Sequence, residues 1–205
     1  MNKKTVLTLA VLGAIAASCA TVEQQARLNA LTSMNSSFKE SGQAKLDRLG
    51  QDEMQKSCSE YPGGNGMPKD LSAKLEKEQQ ALIKYPADGK MLGDWKAGER
   101  IAQTGVGKQY SDDPAAPSGG NCYACHQLSK EEVSFGTIGP SLYNFAKLRG
   151  YTLEMQKYAY AKVYNSQAFA VCSSMPRFGH SQILTEQQIK DTTALLMDPA
   201  SPVNK

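Results

Sequence analysis

The chain has 205 residues, which is room for one ordinary domain with a long addition or for two small domains. Its formal net charge is +3, and two of the positive charges, Lys3 and Lys4, lie in a segment that we expect to be removed, which leaves about +1. Because no basic tract stands out, we do not expect nucleic acid as a partner.

Residues 1–20 have the features of an export signal. Two lysines precede an apolar run that ends at Ala17 and is too short to span a membrane. Cleavage after Ala20 is favoured, because Ala16 stands where lipoprotein signals usually have a branched apolar residue. Cleavage before Cys19 is the alternative, and it would leave a lipid-modified cysteine and a link to the membrane. Either way we expect a periplasmic protein, in a compartment that permits disulfides.

Residues 21–90 predict a helical N-terminal extension. Apolar residues recur at helical spacing, with an interruption expected at Gly42, a turn over residues 61–68, and a second amphipathic stretch from Leu71 to Leu82. These apolar stripes are too narrow to form a separate core. The extension therefore either folds back on its own domain or wraps a partner subunit, and the two alternatives are compatible.

Residues 91–205 predict an all-α domain. Asp94 is the expected cap of a helix from Trp95 to about Thr104, in which Gly98 allows another helix to approach closely. Further helices are expected over residues 152–164 and from a capping box at residues 185–188 to a stop before Pro199. No segment has a convincing strand pattern.

After the first of these helices comes the string Cys122-Tyr123-Ala124-Cys125-His126. A C-x-x-C-H string attaches a c-type haem: the two thiols add to the porphyrin vinyl groups and the histidine ligates the iron. A zinc site would need a second pair of ligands at similar spacing, and a thioredoxin-like site would need a preceding strand where residues 118–121 predict a loop. The sequence therefore predicts one covalently bound haem c, with Cys122, Cys125 and His126 as its attachment and ligand residues.

The second axial ligand of the iron decides between electron transfer and ligand binding. Met175 is favoured over His180, because a proline follows it in a loop between two helices, where a stiff backbone can aim the thioether. The carbonyl of Pro140 is the expected acceptor for the second ring nitrogen of His126. Two interpretations of Arg177 stay open, a partner of a haem propionate and a solvated surface arginine.

Two cysteines, Cys58 and Cys172, are left once the haem and the export signal have been assigned. A disulfide between them is favoured in an oxidising compartment, and it would stabilise the fold by roughly 4 to 5 kcal/mol in the chain-entropy model. The alternative is that Cys172, which lies three residues before Met175, is a free thiol close to the haem.

With these residues in place, the segment from Trp95 to the C-terminus resembles the SoxX family, the monohaem cytochrome c subunits of SoxAX complexes in bacterial thiosulfate oxidation. The resemblance rests on Gly120–His126, Ile138–Leu142, Lys147–Gly150, Cys172–Gly179, Leu184–Thr185 and Asp198–Asn204. The long segment before Trp95 departs from the shorter members of that family.

The resemblance implies a class I cytochrome c fold, His126 and Met175 as axial ligands, and a heterodimer with a SoxA-like haem subunit. It also implies an L-cysteine S-thiosulfotransferase type of activity for the complex, which couples thiosulfate to a cysteine of a SoxYZ-like carrier. Electrons would pass from this haem to a downstream acceptor cytochrome. Because one spare histidine offers no nucleophile–base pair, the isolated chain is not expected to be catalytic. The alternatives are a free-standing soluble electron shuttle and a ligand-binding haem sensor.

Overall fold

The computed structural model describes Val22 and residues 24–205, and the regular structure of these residues is helical, with no β-strand. The all-α prediction is therefore confirmed. The expected export signal, including Cys19, lies outside the described residues. In the part of the chain that the structure describes, no helix is long and apolar enough to cross a membrane.

The chain divides into two units, one ending at Ser41 and the other comprising Gly42–Lys205. The first contains helix α1, residues 24–37. The second contains α2 (Glu53–Glu60), α3 (Lys69–Ala81), α4 (Trp95–Gln103), α5 (Phe145–Arg149), α6 (Leu153–Tyr164) and α7 (Glu186–Met197). The helices expected near residues 71, 95, 152 and 185 are all present, whereas α2 and α5 were not predicted.

Helices α4 and α7 cross in close contact, and Gly98 makes the crossing possible. A Cβ atom at Gly98 would lie 2.2 Å from the backbone oxygen of Asp191 on α7, well inside van der Waals contact. The side chain of Asp94 accepts a hydrogen bond from the backbone N–H of Lys96 at 2.9 Å and so caps α4, as expected. The prediction that Gly98 admits a neighbouring helix is thus confirmed.

Two apolar clusters fill the interior of the second unit. One contains Tyr123, Phe145 and Leu195, and the other contains Tyr160 and Phe178. The first cluster includes a residue of the C-x-x-C-H string, and the second lies under the loop after α6. Both parts of the expected haem site are therefore supported by the core.

Residues 42–90 pack on the rest of their own unit. A disulfide joins Cys58 of α2 to Cys172, which is 114 residues later in the sequence. Leu75 of α3 is fully buried, and the hydroxyl of Tyr160 on α6 donates to the carbonyl of Lys84 at 3.3 Å. This part of the extension therefore folds back on its own domain, while contact with a partner subunit stays a prediction.

The C-terminal tail connects α5 to the end of α7 through Asn204. The Asn204 side-chain oxygen accepts from the backbone N–H of Ala146 at 3.0 Å. Its amide nitrogen donates to the carbonyls of Leu196 at 2.9 Å and Asp198 at 3.0 Å. Because Asn204 is buried, these bonds satisfy backbone groups that water cannot reach.

Candidate haem site

The attachment turn, Cys122–Ala124, is a single 3₁₀ turn that packs on the C-terminal end of α4. The backbone N–H of Gly120 donates to the carbonyl of Ile101 at 2.8 Å. A Cβ atom at Gly119 would lie 1.9 Å from the backbone oxygen of Thr104, so a residue with a side chain would push the two segments apart. Gly119 thus lets the turn approach the end of the helix, and Gly120 joins it there by a backbone hydrogen bond.

The thiols of Cys122 and Cys125 are both free, because the other two described cysteines are bonded to each other. Both residues are half-buried. Burial raises the pKa of the Cys122 thiol to about 12. Because neither cysteine is in a disulfide, both are available for thioether bonds.

The ring of His126 is held from the side opposite its free nitrogen. Its Nδ1 lies 2.7 Å from the carbonyl oxygen of Pro140, the acceptor that the sequence predicted. Because a carbonyl can only accept, Nδ1 carries the proton and Nε2 is left with a lone pair for the iron. A Cβ atom at Gly139 would lie 2.1 Å from the ring carbon Cε1. The Gly-Pro step thus both orients the ring and leaves space for it.

A buried polar group behind the attachment turn was missed by the sequence analysis. The hydroxyl of Tyr123 lies 3.0 Å from Glu99 Oε1, to which it donates, and 3.2 Å from Ser129 Oγ. Burial raises the pKa of Glu99, and its contacts with Tyr123 and Gln103 only partly offset that effect. No sequence signal pairs Glu99 with Tyr123, because the two are 24 residues apart and meet only in the folded chain.

Met175 lies in the methionine loop, residues 170–182, between α6 and α7. Its carbonyl accepts a hydrogen bond from Ser166 Oγ at 2.5 Å, and its side chain packs against the cluster that includes Ile101. Ile101 also adjoins the attachment turn, because a Cβ atom at Gly120 would lie 3.6 Å from its Cγ2. The methionine loop and the attachment turn thus border the same part of the core. Ligation of the iron by Met175 stays a prediction.

Arg177 is buried, with 9% of its surface exposed, and its guanidinium contacts two residues of the extension. Nη2 lies 2.7 Å from Asp52 Oδ2, and Nη1 donates to Gln79 Oε1 at 3.2 Å. Burial works to raise the pKa of Asp52, but the backbone N–H of Gln55 and the Arg177 charge outweigh it and hold that pKa below its usual value. Pairing of Arg177 with a haem propionate stays a prediction.

His180, the other candidate for the second axial position, lies beside the same carboxylate. Its Nε2 is 4.0 Å from Asp52 Oδ2. Burial and the Arg177 charge lower the pKa of His180, while the Asp52 charge partly opposes them. The structure therefore places this histidine beside the contacts between the methionine loop and the extension.

The segment after the motif leaves large apolar side chains exposed. Ile138 and Leu148 are 79% and 78% exposed, and Tyr151 is also open to solvent. Single exposed apolar side chains are common on folded proteins, so these residues carry no assignment. The two free thiols and the imidazole with its free Nε2 form a donor set that fits haem c.

Comparison with known proteins agrees with this geometry. The family model described as Cytochrome c matches residues 96–198, which include both the attachment turn and Met175. The chain is also 39% identical over 162 residues to an "Uncharacterized lipoprotein" of Aquifex aeolicus (strain VF5). That alignment covers 76% of this chain and 73% of the relative.

Proposed function

The chain belongs to the cytochrome c family, and on that premise we propose that it is the electron-accepting subunit of a heterodimeric, thiosulfate-oxidising complex of the SoxAX type. The family carries a covalently attached haem c, and its helical class I fold agrees with the all-α structure. The protein is therefore a haem electron-transfer cytochrome. The complex, its substrate and its partners are the proposed part.

The haem iron supplies a one-electron change of oxidation state when the cofactor is bound. Cys122 and Cys125 would fix the porphyrin, and His126 would ligate the iron through the nitrogen that Pro140 leaves free. Met175 would be the second protein ligand of the iron. With both ligands held by the protein, a change of iron charge would need little rearrangement, which suits electron transfer.

The observation that carries electron transfer is the fixed orientation of His126 together with a methionine in a loop tied to the core. What supports the SoxAX role is the resemblance of Cys172–Gly179 and of the C-terminal tail to the SoxX family. In the proposed complex, a SoxA-like haem subunit would carry the thiosulfotransferase chemistry on a SoxYZ-like carrier. This chain would accept the electrons and pass them to a downstream cytochrome.

Helix α1 is the proposed contact with the partner subunit. Its apolar residues Leu28 and Leu31 are exposed. A partner that covered these side chains would remove apolar surface from water, which is the usual driving force of association. For α1 we therefore keep the alternative in which the extension wraps a partner subunit.

A free-standing soluble shuttle is the second candidate, and one observation favours it. Residues 42–90 are attached to the rest of their own unit by several contacts, including the Cys58–Cys172 disulfide. This part of the extension thus needs no partner to be stable.

Export to the periplasm is also proposed. The Cys58–Cys172 disulfide supports an oxidising compartment. The name of the Aquifex aeolicus relative supports the alternative in which Cys19 is lipidated, against the cleavage after Ala20 that the sequence favoured. Intact-mass measurement of the exported protein separates the two, since a diacylglyceryl-modified N-terminus adds several hundred daltons.

The test is coexpression of the mature chain with a SoxA-like protein encoded next to it, followed by size-exclusion chromatography with haem absorbance. Co-elution, together with the weak red band of methionine-ligated ferric haem, would support the proposed subunit. Replacing Leu28 and Leu31 with Ser should abolish co-elution, while Val133→Ser, at an exposed site after the motif, should not.

A lone monomer that keeps the red band would support the shuttle and refute the subunit. Loss of the band with ready binding of carbon monoxide would support a ligand-binding haem instead.

A further inference from the structure

The methionine loop is tied to the N-terminal extension on both sides of Met175. Three residues before the methionine, Cys172 is bonded to Cys58 of α2. Two residues after it, Arg177 forms an ion pair with Asp52, the N-cap residue of the same helix, at 2.7 Å. The two ties thus bracket the expected iron ligand and lead to one short helix.

Helix α3 also contacts the methionine loop, through Gln79. Gln79 is buried, and its side-chain oxygen accepts from Arg177 Nη1 at 3.2 Å and from Asn165 Nδ2 at 3.0 Å. The Asn165 amide also donates to the backbone carbonyl of Gln79 at 3.1 Å. Because a buried guanidinium is stable only when it is paired and hydrogen-bonded, these partners fix the position of Arg177.

The ties matter for the iron because a thioether is a neutral ligand and depends on the loop that presents it. Functional groups lose their role when their supporting residues allow shifts of about 1 Å. The Met175 carbonyl is itself held by Ser166 Oγ, so the loop is fixed at the methionine and at both flanks. Of these three attachments, the two flanking ones come from the extension.

We propose that Asp52 and Gln79 are positioning residues for Met175, and that α2 and α3 form a clamp that keeps the methionine sulfur on the haem iron. Asp52 acts through Arg177, and the Cys58–Cys172 disulfide is the second attachment of the methionine loop to α2. The extension thereby sets how readily the methionine leaves the iron. This inference rests on the proposed ligation of the iron by Met175 and is independent of the proposed SoxAX role. An unmodified haem-loaded chain without the red band would refute that ligation, whereas a band that is present but insensitive to Asp52→Asn would refute the clamp alone.

The test uses the full haem-loaded chain and substitutions that separate charge from fold. Asp52→Asn removes the charge opposite Arg177 but keeps an oxygen that can accept from the Gln55 backbone N–H, so α2 stays capped. A double change of Cys58 and Cys172 to Ser opens the other tie. Glu53→Gln is the matched control, because Glu53 is the next residue, is exposed, and pairs with Lys74 rather than with the loop.

Three readouts report on the methionine: the red band of the ferric protein, the pH at which that band is lost on raising the pH, and the rate of carbon monoxide binding to the ferrous protein. In Asp52→Asn and in the double serine variant we expect a weaker band, a lower pH of loss, and carbon monoxide binding faster by at least about tenfold, which corresponds to about 1.4 kcal/mol. Glu53→Gln should match the unmodified chain.

The proposal is overturned if Asp52→Asn keeps the red band, its pH of loss and the carbon monoxide rate of the unmodified chain. A lower unfolding temperature with all three readouts unchanged would show that the ties only stabilise the fold. If the double serine variant does not fold, Asp52→Asn and Gln79→Leu decide the question, because both leave the disulfide intact.

Discussion

Replacing Gly139 with Ala should disturb the iron ligand through one added methyl group. The new Cβ would lie 2.1 Å from Cε1 of the His126 ring, against the roughly 3.5 Å at which carbon atoms make favourable contact. The ring must therefore retreat by about 1.4 Å. Such a shift lengthens the 2.7 Å contact between Nδ1 and the Pro140 carbonyl beyond hydrogen-bonding distance.

The lost hydrogen bond has a predictable effect on the reduction potential. Donation from Nδ1 to a carbonyl raises the basicity of the ring and so stabilises the ferric state, which means that its loss should raise the potential. If the full net value of the bond, about 1.4 kcal/mol, acts on the ferric state alone, the rise is about 60 mV for a one-electron couple.

Potentiometric titration of the haem-loaded protein measures this shift directly, and haem content per chain shows whether attachment is intact. Gly50→Ala is the control, because a Cβ there meets only the Asp47 backbone oxygen, at 3.3 Å, and the backbone φ of −71° suits alanine. An unchanged potential in a fully loaded Gly139→Ala variant would refute the orienting role of this loop.

Three further outcomes are expected. Gly98→Ala should lower the free energy of unfolding measured with denaturant. Overpacking against a backbone oxygen costs about 1–3 kcal/mol, while replacing glycine with alanine inside a helix stabilises the helix by only about 1 kcal/mol. An equal or greater free energy of unfolding would contradict the crossing geometry. Since burial and Arg177 lower the pKa of His180, stability should fall as the pH drops below about 6.5, and His180→Gln should remove this part of the pH dependence of unfolding. Asn204→Ala should cost about 1–3 kcal/mol in chemical unfolding, because it leaves buried backbone groups unpaired, and a neutral result would be inconsistent with the bonds it makes.

Local signals explain why much of the helical framework could be predicted. Asp94 and Thr185 accept hydrogen bonds from the first turns of α4 and α7, as their positions before the apolar pattern indicated. Helix α5 lacked such a signal: it is only five residues long, and its cap residue Asn144 makes no side-chain cap bond. Its backbone is instead completed by Asn204, nearly sixty residues later.

At the candidate site, the residue pattern specifies the chemistry, whereas the contacts around it arise only in the folded chain. The spacing of Cys122, Cys125 and His126 specifies haem c because all three groups must reach one porphyrin, and such short-range constraints can be read directly from the chain. The partners of Arg177, by contrast, follow from the folded chain. Asp52 and Gln79 precede Arg177 by 125 and 98 positions in the sequence, and packing brings them to its buried charge.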